Sequence, residues 1–296
     1  MTKKTINDIC INYELEGEGK TIVFVHGLSD SLEYWKVLSE NLKNDYQTLI
    51  YDLRGHGESS DDDKNTTIDL YQEDLYQLLN ALNIENAVFI GLSLGGNVIL
   101  DLAVNHPEMV NGLIVMSSFP EHDDKLKRIF DDFDNAIDQG FVEFFDTILP
   151  YTLTEDLLEE HKELLENVKI EAAKTANIDG IRNGINAGYG FNLTDRLNEI
   201  NVPTLVIAGE EDNLTDLNIQ KKISDNIKGS ELIVLENTKH NILIGRNIEK
   251  VLDIIDDFMK KRDELGFASK PVIFSEFGGA ALYGCHDEDN ILWSEE

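Results

Sequence analysis

Short apolar runs and helical stripes alternate along the chain. The runs are TIVFV at 21–25, TLIY at 48–51, AVFI at 87–90, GLIVM at 112–116, TLVIA at 204–208 and ELIVL at 231–235. Each is too short for a helix and rich in β-branched residues, the pattern of a strand buried on both faces of a parallel sheet. Between them, apolar residues recur at helical spacing: Leu32, Trp35, Leu38 and Leu42; Ile68, Leu75, Leu78, Leu79 and Leu82; and, near the end, Val251, Leu252, Ile255 and Phe258. Residues 5–16 alternate apolar and polar and stop at Gly17-Glu18-Gly19, which predicts an opening hairpin or edge strand. The alternation as a whole predicts an α/β fold, a mostly parallel sheet with helices on both faces.

Residues 120–196 break this rhythm. They hold no buried-strand run, and helical patterns crowd together over Leu126–Phe133, Phe141–Leu149 and Glu155–Ala176. We read 1–119 and 197–265 as one core and 120–196 as a helical cap inserted into it. Within the cap 18 acidic residues face 8 basic ones, which predicts an anionic outer surface. Residues 266–296 form a C-terminal extension whose text, FGGAALYG included, fits neither period.

Composition narrows the class. The 296 residues suffice for one large α/β domain. The balance of 25 basic against 57 acidic residues gives a net charge of −32, a field that repels nucleic acid and anionic membranes and slows anionic substrates. No apolar run approaches the roughly 20 residues of a membrane span. Lys3 and Lys4 have no apolar stretch behind them, so no secretory signal is expected and the cytoplasm is the expected location. Cys10 and Cys285 stand alone, which fits a reducing compartment. With no phosphate loop, zinc motif or dinucleotide fingerprint, no cofactor and no metal are expected.

The most specific chemistry lies in Val88-Phe89-Ile90-Gly91-Leu92-Ser93-Leu94-Gly95-Gly96, followed by a helical run to Asn105. This is G-x-S-x-G between a buried strand and a helix, a turn so tight that side chains at 91 and 95 would clash with their surroundings. It forces Ser93 into a strained conformation that exposes its hydroxyl beside a helix N-terminus, where developing negative charge is welcome. Ser93 is the candidate nucleophile.

Three further motifs complete a pattern: His26-Gly27-Leu28 after one strand, Asp52-Leu53-Arg54-Gly55-His56-Gly57-Glu58-Ser59 after the next, and Ala208-Gly209-Glu210-Glu211-Asp212 after a late one. Together with Ser93 they resemble the α/β-hydrolase fold family over residues 5–262. The resemblance implies a Ser-acid-His triad in that chain order. It points to Asp212 as the acid, with Glu210 and Glu211 as competing neighbours, and to His240 as the base. Lys239 stands where the family often carries glycine. The oxyanion hole would be the backbone N–H groups of Leu94 and Leu28, with Gly27 allowing a close backbone approach. His26 is then a packing residue, the 54–59 turn including His56 is structural, and His106, His122 and His161 are read as surface residues.

The expected activity is hydrolysis of small neutral carboxylic esters through an acyl-enzyme, with a small-molecule ester as substrate and neither nucleic acid nor membrane as partner; the oligomeric state is open. An enol-lactonase, a C–C bond hydrolase or an acyltransferase would use the same triad, and a non-catalytic binding protein on this fold is the reading from another class. The extension resembles a fragment of a family 2 glycoside hydrolase around Glu276 and Trp293. A lone carboxylate has no partner acid, so no glycosidase activity is expected.

Overall fold

The computed structural model describes residues 2–62, 65–245, 247–265 and 280–284. Eight strands build the sheet: β1 (Thr2–Ile6), β2 (Ile9–Glu16), β3 (Thr21–Val25), β4 (Gln47–Tyr51), β5 (Ala87–Leu92), β6 (Val110–Met116), β7 (Thr204–Gly209) and β8 (Glu231–Leu235). A ninth, β9 (Ala280–Gly284), pairs antiparallel with β8 and extends the order to β1-β2-β4-β3-β5-β6-β7-β8-β9. Periodicity left this strand unassigned. The positions that carry the glycoside-hydrolase resemblance, Glu276 and Trp293, lie outside the described residues. From β4 to β8 every pairing is parallel, while β1 and β2 form an antiparallel hairpin at the other edge.

Strand alternation feeds two separate cores. Val23, Val25, Phe89, Val115, Val206 and Ala208 point to one face, and Ile22, Phe24, Val88, Ile90, Ile114 and Ile207 to the other. The first face is covered by α2 (Ile68–Ala81), α3 (Leu94–Asn105) and α9 (Leu217–Asn226). The second is covered by α1 (Lys36–Leu42), which continues a 3₁₀ turn over Leu32–Trp35, and by α10 (Ile248–Leu265). Burial of each large side chain contributes about 1.5–3 kcal/mol, so these two layers fix the sheet. No helix of the described residues is long and apolar enough to cross a membrane.

Between β6 and β7 lie five helices: α4 (Asp124–Gln139), α5 (Phe141–Thr152), α6 (Glu155–Glu160), α7 (Lys162–Ala172) and α8 (Ile178–Tyr189). Asp123 caps α4 by accepting from the N–H groups of Lys125 and Leu126. The α8 helix packs closest to the core. A Cβ on Gly180 would sit 1.9 Å from the Gly55 carbonyl oxygen, and one on Gly184 would sit 2.6 Å from Leu28 Cδ1. Small residues one turn apart thus let α8 lie directly on the loops that follow β3 and β4.

Candidate active site

The turn from β5 into α3 is closed on every side by backbone. A Cβ on Gly91 would meet the Gly95 carbonyl oxygen at 2.5 Å, and one on Gly95 would meet the Val25 carbonyl oxygen at 2.1 Å. Between these glycines Ser93 adopts φ 52° and ψ −115°, a left-handed conformation that a serine holds only when its surroundings dictate it. Its N–H donates to the Met116 carbonyl at 2.8 Å, and its own carbonyl accepts from Ser118 Oγ at 2.8 Å and from Asn97 N–H at 3.2 Å. The main chain of Ser93 is therefore fully occupied, and the side chain is left facing the cavity above the sheet.

Two more loops reach the same edge, the carboxyl ends of the parallel strands, where ligand crevices form in such sheets. Gly209 ends β7, and a Cβ there would sit 2.3 Å from the Lys239 carbonyl oxygen and 2.4 Å from that of Thr238. The loops after β7 and β8 can touch only because this position is glycine. Glu210 N–H donates to the Leu235 carbonyl and Glu211 N–H to that of Thr238, both at 2.9 Å, which sends both carboxylates into solvent. Asp212 turns inward. Its Oδ1 accepts from the N–H groups of Leu214 and Thr215 at 2.9 and 3.0 Å. Its Oδ2 accepts from Thr215 Oγ1 at 2.8 Å and lies 3.0 Å from His240 Nδ1. Both residues are buried. A carboxylate against Nδ1 holds the proton on that nitrogen and leaves Nε2 as the free base.

Lys239, the departure from glycine, has a structural task. Its Nζ donates to the Pro150 carbonyl at 2.8 Å, and the next two N–H groups, of His240 and Asn241, donate to the carbonyls of Tyr151 and Thr152. Three donors, one of them a cation, thus serve the orphan carbonyls at the C-terminus of α5. This ties the histidine loop to the helices above it. Sequence reasoning missed this clamp, and it missed Thr215 and Gln220, whose side chains hydrogen-bond to Asp212 Oδ2. Their one signal was proximity to Asp212 in sequence.

Gly27, Leu28, Ser93 and Leu94 line the cavity together. A Cβ on Gly27 would make only ordinary contacts, 3.5 Å from Ser93 Cβ and from Leu92 O. The glycine keeps space open beside Ser93, and no neighbouring backbone of the protein crowds it. His26 is fully buried, with Nδ1 donating to the Gly27 carbonyl at 2.8 Å and Nε2 accepting from Leu53 N–H at 2.9 Å. Burial and the neighbouring His56 hold it neutral down to about pH 3. It braces the loop and is no base. The 52–59 turn is likewise built inward: Asp52 accepts from the N–H groups of Leu32 and Glu58 and from Asn12 Nδ2, while buried Arg54 makes a two-pronged pair with Asp74. His122 is not a surface residue. It is half-buried, ringed by Phe119, Phe130 and Tyr189, because α4 and α8 close over it.

The cavity holds about 270 Å³. Its walls above Ser93 are apolar, drawn from α4, α5 and α7, with Phe130, Phe133, Phe145, Leu149, Leu165 and Val168 among them. Asp30 lies at its floor beside Gly27. Burial pushes the Asp30 carboxyl up to about 7, a rise that His240 opposes.

A family model described as alpha/beta hydrolase fold matches residues 20–246. A relative from Rhizobium rhizogenes that carries the name of a carbamate hydrolase is 28% identical over 86% of this chain and 100% of its own length. The 3-oxoadipate enol-lactonase 2 of Acinetobacter baylyi is 27% identical over 78% of this chain and 87% of its own. Among solved structures, MGS-M2, an alpha/beta hydrolase enzyme from a deep-sea metagenome library, superposes with a TM-score of 0.82 over 88% of this chain and 97% of its own. At 24% identity it speaks to fold alone.

Proposed function

The chain belongs to the alpha/beta hydrolase fold family, and from that premise we propose that it is a serine hydrolase cleaving small neutral carboxylic esters through an acyl-enzyme. The observation that carries this reading is the convergence of three chain segments on one cavity: Ser93 on its strained turn, and His240 with its Nδ1 3.0 Å from the buried Asp212 carboxylate.

In this scheme His240 Nε2 takes the proton from Ser93 Oγ as that oxygen attacks the ester carbonyl. The N–H groups of Leu94 and Leu28 receive the charge on the tetrahedral intermediate, and the N-terminus of α3 adds its dipole. The imidazolium, steadied by Asp212, then protonates the departing alcohol. Water, activated by the same nitrogen, releases the acid and restores Ser93. The helices from 120 to 196 act as the cap whose walls receive the acyl or alcohol portion. A volume near the lower end of ligand pockets supports small substrates, and apolar walls with a net charge of −32 disfavour anionic ones. The lactonase and carbamate-hydrolase names of the two relatives favour, as second reading, the same triad acting on a lactone or a carbamate.

The test is hydrolysis of p-nitrophenyl esters of graded chain length, with lactone and carbamate substrates in parallel. Ser93→Ala and His240→Ala should each lower kcat by at least roughly 10³-fold, and a fluorophosphonate probe should label wild-type protein at Ser93. Undiminished turnover in Ser93→Ala, or a probe that leaves Ser93 untouched, would remove the serine-hydrolase reading. A lactone or carbamate far outrunning every ester would replace the substrate and keep the triad.

A further inference from the structure

Of the residues lining the cavity, Asp30 and His240 are the two with ionisable side chains, and the hydrolytic scheme employs only His240. Asp30 belongs to the loop that carries Leu28, and its N–H donates to the Gly27 carbonyl at 3.4 Å. Its Oδ2 and the Ser93 Cβ each lie 3.5 Å from the point a Cβ on Gly27 would occupy, so carboxyl and nucleophile border the same vacant space. Among the described residues no donor hydrogen-bonds to this carboxyl. The neighbouring Tyr34 hydroxyl is turned elsewhere, donating to Asn241 Oδ1 at 2.8 Å and accepting from Leu243 N–H.

Asp30 is only partly buried, so its carboxyl faces the open cavity and meets no donor among the described residues. Such a group stabilises nothing in the empty site; its use lies in what enters. We propose that Asp30 is a substrate-recognition residue, whose carboxyl oxygen accepts a hydrogen bond from a neutral donor, a hydroxyl or an N–H, carried by the substrate within a few bonds of the scissile carbonyl. This rests on the ester-hydrolase reading and narrows its substrate class. A donor is the partner the chemistry selects, because a carboxyl keeps a free acceptor oxygen whether protonated or not. A substrate acceptor would be served only by the protonated form, and an anionic substrate group would face both Asp30 and the charge of the whole protein.

The charged and titratable neighbours of Asp30 are His240, from the loop after β8, and Tyr34, from the 3₁₀ turn before α1. Burial holds the Tyr34 hydroxyl well above its ordinary range, so it stays neutral. Burial raises Asp30 to about 7 and His240 opposes that rise, so the carboxyl ionises near neutrality. The hydrogen bond from a substrate donor becomes charge-assisted, and stronger, on the alkaline side.

The experiment compares matched pairs of butyrate esters: p-nitrophenyl 2- and 3-hydroxybutyrate and 2-hydroxyethyl butyrate, each against its O-methyl ether, which keeps the acceptor oxygen and loses the donor. The readout is the ratio of kcat/KM within a pair, which cancels every titration the two esters share. Wild-type protein should favour the hydroxylated member of at least one pair by about tenfold. The ratio should fall to near one in Asp30→Ala and survive in large part in Asp30→Asn, whose amide oxygen still accepts. It should rise as pH passes 7 in the wild type and stay flat in Asp30→Asn. A ratio near one in all wild-type pairs, or one unmoved by Asp30→Ala, overturns the assignment. If the hydrolase reading itself is wrong, plain p-nitrophenyl butyrate is not turned over and the fluorophosphonate does not label Ser93, an outcome distinct from either.

Discussion

The cavity has a floor and a roof built on opposite terms. Beneath it, Ser93 is held by backbone on every side: a Cβ at either flanking glycine would lie 2.5 Å or less from a carbonyl oxygen. Above it, α6 and α7 bury no residue completely, and Leu164, Val168 and Ile170 of α7 stand 44–59% exposed. Val168 is at once a wall of the cavity and a surface residue. The floor tolerates no displacement, whereas the α6–α7 part of the roof has little packing to hold it in one place. On the proposed reading, positioning of the reacting groups and selection of the substrate fall to different materials, the first rigid and the second adaptable.

The sharpest way to break this contrast is at the floor. Gly95→Ala places its methyl against the carbonyl oxygens of Val25 and His26, both main-chain atoms of β3 and its loop that cannot swing aside. We expect a loss of at least about 3 kcal/mol, read as a lower urea midpoint, together with loss of esterase turnover. Wild-type stability in this variant would show that the turn has slack and that the comparison is false.

A second effect, also at the floor, depends on pH. In the unfolded chain the His26 imidazole takes up its proton near 6.5, whereas the folded protein keeps it neutral down to about 3 through burial and the adjacent His56. Below 6.5 the unfolded state therefore binds a proton that the native state refuses. The stability from this residue is complete above 6.5 and is lost as pH falls towards 3, at up to roughly 1.4 kcal/mol per pH unit. The His26 ring signals in an NMR titration should hold their neutral positions to pH 4. Titration near 6.5 in the folded protein would mean that the loop carrying Leu28 is open to water.

How legible each region was follows the same division. The strand runs at 21–25, 204–208 and 231–235 stand as β3, β7 and β8 with ends within one residue, because burial on both faces leaves a continuous apolar signal. Ser93 could be singled out because the tight turn that aims it is written as glycines at 91 and 95, whereas Asp212 and His240 were reached through the family resemblance, which supplies their order along the chain. The roof was harder. The α8 helix left no readable stripe, since Gly180, Gly184 and Gly188 occupy the face that packs on Gly55, Leu28 and Phe130, and glycine lowers helix propensity where it allows close approach. Lys239 read as a departure from pattern because its partner, the Pro150 carbonyl, is 89 residues away in sequence. Asp30 gave no signal at all: a lone aspartate in a turn becomes conspicuous only when the walls around it are known to be apolar.

The gentlest perturbation belongs to the roof. Phe145, Leu149 and Leu165 line the cavity above Ser93 and also a cleft of about 330 Å³ along α5 and α7, bordered by Asp146, Glu159 and Lys169. These three side chains are common to the walls of both spaces. Phe145 is only partly buried, unlike Phe144 beside it, so Phe145→Ala should cost little stability while opening that shared wall. A longer acyl chain could then pass through and lie along the cleft. Each accommodated methylene is worth about 1 kcal/mol or more in such a pocket. We therefore expect kcat/KM for p-nitrophenyl octanoate to rise three- to tenfold relative to the butyrate, with the urea midpoint nearly unchanged. An unshifted chain-length preference would mean that the roof is as fixed as the floor, and that substrate choice is made beside Ser93.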